Sequence, residues 1–413
     1  MNLSELQNYL PKKPTRIAVG MSGGVDSNTT AYLLHQLGHE VVGFTAWTLN
    51  GPGKCCNDAL INAGRVCDQL GIQYDTVDLR AEFAHYVMDY YENSYQAGLT
   101  PNPCVECNRF IKWEKLVDYA RESLDCEYVA TGHYAQIHYD CGLDGKPLKN
   151  TQRVFRSVDE RKDQTYMMAR VRREDFAHAL FPLGHLTKPQ VRDMAREANL
   201  PEADGKESQD VCFVLDGQQN YLKRALGSRS GPIIDLDQDK VLGEHEGSYL
   251  FTIGQRKGVN VSANRPVYVV KIDPKTNTVY VGDKGHLDCS TFTVLKPMWL
   301  PEWLEEHFSQ DNSKSGLSSS FSPSPEPISV MAKIRYNTPP AKAKVFAGER
   351  PDTLVVQMEA PVSAVTPGQV CAFYDPTNTV LYGGGYIESF LSHRPFDPAE
   401  HTELPDLNGM CPV

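Results

Sequence analysis

Along the first ~135 residues, short apolar runs alternate with stretches whose apolar residues recur every three to four positions. Arg16–Gly20, Val41–Thr45, Tyr74–Leu79 and Tyr128–Thr131 read as strands. Ser27–Leu37 carries Ala31, Leu34 and Leu37 on one helical face and meets a stop at Gly38. Cys56–Leu70 places Ala59, Leu60, Ala63, Val66, Cys67 and Leu70 at helical spacing before Gly71. Phe83–Gln96 and Phe110–Ser123 repeat the amphipathic pattern. Strands alternating with helices of this length predict βαβ units around a parallel sheet.

Residues 152–215 read as more helical and basic: Arg153, Arg156, Arg161, Lys162, Arg170, Arg172 and Arg173 fall within 21 positions. Lys188–Asn199 is a helix with Pro189 in its first turn, where proline is tolerated. From about 230 the pattern becomes short β-rich runs between turns: Ser248–Ile253, Val267–Ile272 and Thr278–Val281, then Val330–Arg335, Lys342–Phe346, Thr353–Met358, Val370–Tyr374 and Gly385–Ile387. Such runs predict small barrels or sandwiches. Between them Ser309–Ser329 holds 9 serines and 3 prolines, a composition that buries no core, and reads as a flexible insertion. The expected organisation is an α/β parallel-sheet domain over 1–215, a small β-rich central domain over 216–288 and a C-terminal β-barrel over 289–413.

Composition narrows the class. In 413 residues, 41% hydrophobic and 23% charged side chains exclude wholesale disorder. No apolar run approaches the roughly 18 residues of a membrane span, so no membrane partner is expected. The net charge of −11 excludes a global nucleic-acid-binding field and leaves room for a local basic face, combining 153–173 with Lys333 and Arg335. Eleven cysteines with no secretory signal imply reduced thiols and a cytoplasmic setting.

Three motifs carry chemistry. Gly20-Met21-Ser22-Gly23-Gly24-Val25-Asp26-Ser27 joins a strand to a helix. Its adjacent glycines admit phosphate oxygens close to the backbone, helix N–H groups and the Ser22 and Ser27 hydroxyls donate, and Asp26 suits a phosphate-bound Mg²⁺. It lacks the lysine of a Walker loop. The second motif is Thr100-Pro101-Asn102-Pro103-Cys104-Val105-Glu106-Cys107-Asn108, followed by Ile111-Lys112-Trp113. A helix starting near Asn108 would favour a thiolate at Cys107, while the C-x-x-C pair also suits a redox dithiol or half of a metal site. The third, Lys206-Glu207-Ser208-Gln209-Asp210-Val211-Cys212-Phe213, holds a cysteine that reads on its own as a core residue in a short strand.

The glycine loop resembles the pyrophosphate (PP) loop of N-type ATP pyrophosphatases. With T-P-N-P-x-x-x-C-N, Ala130–Tyr134, Lys162–Gln164, Cys212-Phe213, Gly243–Gly247, Thr252–Gly258, Arg335-Tyr336, Thr366–Gln369 and Gly383–Gly385, the whole chain resembles the tRNA-specific 2-thiouridylases. The resemblance implies an adenine-nucleotide α-hydrolase-like fold and ATP-dependent 2-thiolation of the wobble uridine in the tRNA anticodon loop. By it, Gly20–Ser27, Ala46 and Gly132 bind ATP with Mg²⁺. Cys212 carries a persulfide supplied by a sulfur relay such as a cysteine desulfurase. Cys107 is the second catalytic cysteine and can form a disulfide with Cys212. Asn102, Pro103 and Cys104 meet the target base, and His133, Lys162, Asp163, Gln164, Arg335, Tyr336 and Gln369 contact tRNA. One departure stands out: the family usually has Asp where this chain has Cys104. Three thiols, Cys104, Cys107 and Cys212, admit the alternative of an Fe–S-dependent thiolase. The other rivals are a different PP-loop adenylating synthetase and a non-catalytic RNA-binding Fe–S protein.

Overall fold

The computed structural model describes residues 3–50, 57–140, 151–205, 211–308 and 326–388. The first strands are β1 (Arg16–Gly20), β2 (Glu40–Trp47), β3 (Gln73–Asp78) and β4 (Tyr128–Thr131). The hairpin β5 (Ala135–His138) and β6 (Arg153–Arg156) and the short β7 (Ala179–Leu180) follow. Strands β3-β2-β1-β4-β7 form a sheet parallel throughout. Its centre is β1, whose Ile17, Ala18 and Val19 are all 0% exposed; a strand covered on both faces must be apolar at every position. Helix Val25–Gln36 follows β1 and buries Ser27, Asn28, Thr29 and Thr30. The two threonine hydroxyls are satisfied by donating to the carbonyls of Val25 and Asp26, each at 2.8 Å.

The central unit is a four-stranded sheet, β8 (Gly231–Asp235), β9 (Lys240–His245), β10 (Tyr268–Asp273) and β11 (Thr278–Gly282), in the order β10-β11-β8-β9. The barrel comprises β12 (Asp288–Trp299), β13 (Ile328–Lys333), β14 (Ala341–Ala347), β15 (Thr353–Ser363), β16 (Val370–Tyr374) and β17 (Val380–Ile387). Six strands run β12-β15-β14-β13-β16-β17, and β12 pairs with β17 to close the ring. Gly383, Gly384 and Gly385 form this seam. A Cβ on them would lie 1.9, 2.5 and 2.5 Å from the carbonyl oxygens of Met298, Cys371 and Leu295, so no side chain fits where three strands converge. The start of β17 turns aside to pair with β6 (Val380 with Phe155, Leu381 with Val154), so the β5–β6 hairpin extends the barrel wall to eight strands.

Several expectations change. Ser248–Ile253 forms a single 3₁₀ turn at Ser248–Leu250 in place of a strand. The hairpin β5–β6, strands β8, β9 and β12, and helices Gln218–Leu226 and Glu302–Phe308 had no clear sequence signal. Most of the Ser/Pro insertion lies outside the described residues, while Ile328 and Ser329 already belong to β13. The basic segment is not a free cationic face: Arg153 meets Asp140 at 2.9 Å, Arg156 Asp163 at 3.1 Å, Arg170 Glu106 at 3.3 Å, Arg172 Asp175 at 2.7 Å and Arg173 Glu305 at 3.1 Å. No helix among the described residues is long and apolar enough to cross a membrane.

Candidate active site

The glycine loop sits at the carboxyl end of β1, where parallel sheets bind ligands. The Met21 N–H donates to the Phe44 carbonyl (2.8 Å) and its own carbonyl accepts from Thr45 Oγ1 (2.8 Å), which fixes the loop to β2. Ser27 Oγ accepts from the Ser22 N–H at 3.1 Å and donates to the Gly24 carbonyl at 3.0 Å. Gly132, at the end of β4, closes on this loop. A Cβ there would stand 2.8 Å from the Asp26 carbonyl carbon and 2.8 Å from the Ser27 nitrogen, so only glycine allows the approach.

A cavity of about 400 Å³ opens beside the loop. It is lined by Gly20, Met21, Ser22, Asp26, Ser27, Ala46 and Gly132 from the expected nucleotide set, and by Pro103, Cys104, Cys107, His133, Gln164 and Cys212 from the expected chemistry and tRNA sets. The fold therefore brings residues from six separated segments to one space.

The cysteine helix begins earlier than its sequence suggests. Asn102 is its N-cap and Pro103 its first residue; Pro103–Glu106, Cys107–Lys115 and Leu116–Glu122 run on without a break, the middle segment with π-helical bonding. Cys104 thus occupies the first turn and Cys107 the next, so the terminal-dipole argument for Cys107 does not apply, because that field fades beyond the first turn. Between the two thiols, Glu106 is wholly buried against Arg170, whose Nη1 also donates to the Lys296 carbonyl at 2.8 Å. Cys212 is exposed and not in a strand. Its neighbour Phe213 anchors the turn edge-on against Phe83, Tyr91 and Tyr221 at 5.9, 5.3 and 5.3 Å, leaving the thiol on the cavity rim. Lys206–Asp210 of that motif lie outside the described residues.

Burial drives the pKa of His133 well below its usual 6.5, and Lys112 beside it acts in the same direction, so the ring is neutral. The outer expected residues serve the frame. Gln369 Nε2 donates to the carbonyls of Thr100 and Pro101 at 2.9 and 3.3 Å, and the Thr100 N–H donates to Pro367 O at 2.9 Å. The T-P-G-Q loop thereby grips the T-P-N-P loop. Arg335 donates to the carbonyls of Ile253 (3.0 Å) and Ala364 (2.8 Å) and to Thr366 Oγ1, joining central unit to barrel. Asp163 is buried, accepting from Arg156, from the Ser157 N–H and from Thr165 Oγ1. Tyr336 reaches the Asp163 carbonyl at 3.5 Å, and Lys162 is half-buried.

Sequence reasoning missed Lys188. It is buried in the first turn of helix Lys188–Glu197, and its Nζ donates to Asp26 Oδ1 and Oδ2 at 2.6 and 2.8 Å. Tyr134 donates its hydroxyl to Asp26 Oδ1 at 2.9 Å. The carboxylate expected to meet Mg²⁺ is thus held by a cation of the protein itself. A lysine at position 188 gives no local sign of this role.

The fit of an Fe–S cluster can be tested on the thiols. Cys104, Cys107 and Cys212 share the cavity, yet among the described residues no three His, Cys, Asp or Glu side chains are grouped closely enough to hold a metal ion. The arrangement of the described residues does not fit a cluster.

A glycine loop between the central strand of a parallel sheet and its helix, sharing one cavity with three free thiols, defines a PP-loop ATP-utilising enzyme. Three family models match in order: the tRNA methyl transferase HUP domain over 15–216, the tRNA methyl transferase PRC-barrel domain over 219–283 and the aminomethyltransferase beta-barrel domain over 315–387. The tRNA-specific 2-thiouridylase MnmA of Synechococcus sp. (strain JA-3-3Ab) is 38% identical, covering 92% of this chain and 95% of its own. The protein of that name from Thermosynechococcus vestitus is 37% identical over 91% and 94%. The chain belongs to the tRNA-specific 2-thiouridylase family. Among solved structures, the U34-tRNA thiolase NcsA of Methanococcus maripaludis with its [4Fe-4S] cluster aligns with a TM-score of 0.34 and 19% identity, over 51% of this chain and 66% of that one. The NMN synthetase of Francisella tularensis aligns with a TM-score of 0.32 and 16% identity, over 50% and 74%.

Proposed function

We propose that this protein is an ATP-dependent tRNA 2-thiouridylase that converts the wobble uridine of tRNA to 2-thiouridine, releasing AMP and pyrophosphate. One observation carries the reading: the glycine loop and the cysteines Cys107 and Cys212 line a single cavity. In this reading the catalytic domain spans 1–215, the central domain 216–288 and the barrel domain 289–413. Gly20–Ser27, Ala46 and Gly132 hold ATP with Mg²⁺. The target base, splayed from the anticodon loop, enters past Asn102, Pro103 and Cys104.

The chemistry has two halves. Uridine O2 bonds to the α-phosphorus of ATP, the bond to the β-phosphate oxygen breaks with its electron pair leaving in pyrophosphate, and the N3 proton passes to water. The terminal sulfur of a Cys212 persulfide then bonds to C2 and AMP departs. Attack of the Cys107 thiolate on the Cys212 sulfur breaks the S–S bond, leaves sulfur on C2 and forms a Cys107–Cys212 disulfide that a thiol reductant reopens. An exposed Cys212 suits loading by a sulfur relay protein such as a cysteine desulfurase. His133 and Gln164 meet the RNA at the cavity, with Lys162 and Tyr336 beside it. Asp163, Arg335 and Gln369 act on tRNA by holding the loops that it touches.

The test is turnover of an unmodified tRNA bearing a wobble uridine, with ATP and a persulfide donor. AMP release and 2-thiouridine by mass spectrometry are the expected products. Cys107→Ser and Cys212→Ser should each lose thiolation and keep tRNA-dependent pyrophosphate release. Absence of both products from the wild type would overturn the reading.

A further inference from the structure

Lys112 stands five residues after Cys107, inside the π-helical segment Cys107–Lys115. In an α-helix of about 3.6 residues per turn, residues five apart point to different faces. With i→i+5 bonding they are one turn apart and share a face. The unusual winding is therefore what lets Cys107 and Lys112 line the same cavity, with Cys104 a turn earlier.

The ammonium of Lys112 lies 3.4 Å from His133 Nε2, and His133 Nδ1 lies 2.7 Å from Thr131 Oγ1. Since the ring is neutral, one assignment satisfies both contacts: Nε2 accepts from Lys112 and Nδ1–H donates to Thr131. The imidazole thus aims the lysine without cancelling its charge. Lys112 has no ion pair among the described residues, and it is the one Lys or Arg among the described residues that line the cavity. The one carboxylate in that lining, Asp26, is already bound to Lys188. The position is also set: His133 follows Gly132, which abuts the glycine loop at Asp26 and Ser27. A cation with no ion pair among the described residues, in the cavity that the phosphate loop and the thiols share, matches an anion that forms there.

We propose that Lys112 is a catalytic residue that binds the α-phosphate of ATP and stabilises the charge gathering on it while uridine O2 bonds to phosphorus and pyrophosphate leaves. This rests on the adenylation reading above. Lys112 transfers no proton and acts through its charge, by a charge-assisted hydrogen bond to the phosphate oxygens. The same contact then favours departure of AMP from C2.

The experiment follows pyrophosphate release with saturating unmodified tRNA, in wild type, Lys112→Met, Lys112→Arg and His133→Asn. Removal of one such donor is expected to lower kcat by about 10²–10³-fold, with the KM for ATP changed only a few-fold. Lys112→Arg should recover part of the rate, and His133→Asn, which loosens the aim without removing the charge, should lose less. As a readout apart from turnover, calorimetric binding of AMP should weaken in Lys112→Met while tRNA binding is unchanged. Wild-type kcat and AMP affinity in Lys112→Met would overturn the proposal, as would a loss confined to sulfur transfer with pyrophosphate release intact. Wild type that releases no pyrophosphate with tRNA would instead overturn the adenylation reading, and this proposal with it.

Discussion

Replacing Lys188 by Met removes a charge and keeps most of the buried stem. The Lys188 side chain is 8% exposed and that of Asp26 33% exposed. Breaking a fully buried ion pair from one side costs roughly 3–5 kcal/mol because the other charge is stranded, whereas an exposed pair is worth roughly 0–1 kcal/mol. Asp26 keeps a third of its surface and a hydrogen bond from Tyr134, so it partly rehydrates, and a loss of about 2 kcal/mol is expected. At roughly 2–4 °C per kcal/mol for a domain of this size, the apo protein should melt about 4–8 °C lower. The vacated carboxylate should accept a divalent cation, so Mg²⁺ should raise the melting temperature of Lys188→Met more than that of wild type. Lys188→Met with Asp26→Asn removes the stranded charge and should recover at least 1 kcal/mol of the loss, as coupling between contacting residues does. The assay is thermal and urea unfolding of the four proteins of this cycle, with and without Mg²⁺. A double variant no more stable than Lys188→Met would refute the stranded-charge argument, and an apo melt equal to wild type would refute the pair as a stabilising contact.

Other outcomes follow from the same geometry. Asp26→Ala should abolish tRNA-dependent AMP formation in a folded protein; normal AMP release would remove Asp26 from the phosphate site. Cys104→Asp, which restores the residue usual in the family, should keep thiolation within a few-fold in iron-free protein, and loss of bound iron in step with activity would reverse that expectation. His185 lies under the ring of Tyr9 at 3.8 Å between centroids, and burial, with His138 nearby, lowers its pKa from 6.5 to about 4. The unfolded ring titrates near 6.5, so this stability is intact above pH 6.5 and is lost as pH falls toward 4, up to about 3 kcal/mol. Urea midpoints at pH 5 and 7.5 should differ less in His185→Gln than in wild type, and equal differences count against it. Gln369→Ala should free the T-P-N-P loop and lower thiolation more than ATP affinity; an equal effect on both would place Gln369 elsewhere.

Legibility followed the range of the forces. Strands β1, β4 and β16 begin and end where their apolar runs do, since local pattern decides them. The stretch 248–253 has the same look but ends as one turn, because its residues fill the cluster of Phe251, Val259 and Val269 instead of a ladder. Strand β6 has few apolar residues of its own and is held by β5 and by β17 far along the chain. The glycine loop was readable because six adjacent residues state its chemistry. Lys188 was not, since 162 positions separate it from Asp26 and only the fold joins them. Cys107 was misplaced by one turn because Asn102-Pro103, a good helix start, reads equally well as the end of an extended loop.

The seam between β6 and β17 also bears on how the chain emerges during synthesis. Phe155 pairs with Val380, roughly 225 residues later, which at about 5–20 residues per second is a wait of roughly 10–45 s. Throughout that interval the outer edge of the hairpin offers unpaired N–H and C=O groups to any neighbouring strand. The charged ends of β6 — Arg153 paired with Asp140 and Arg156 with Asp163 — put ion pairs at both ends of that waiting edge, where a second strand would have to displace them to pair. The strand that finally covers it is β17, which also closes the ring against β12, so completing the barrel and retiring the exposed edge are a single event.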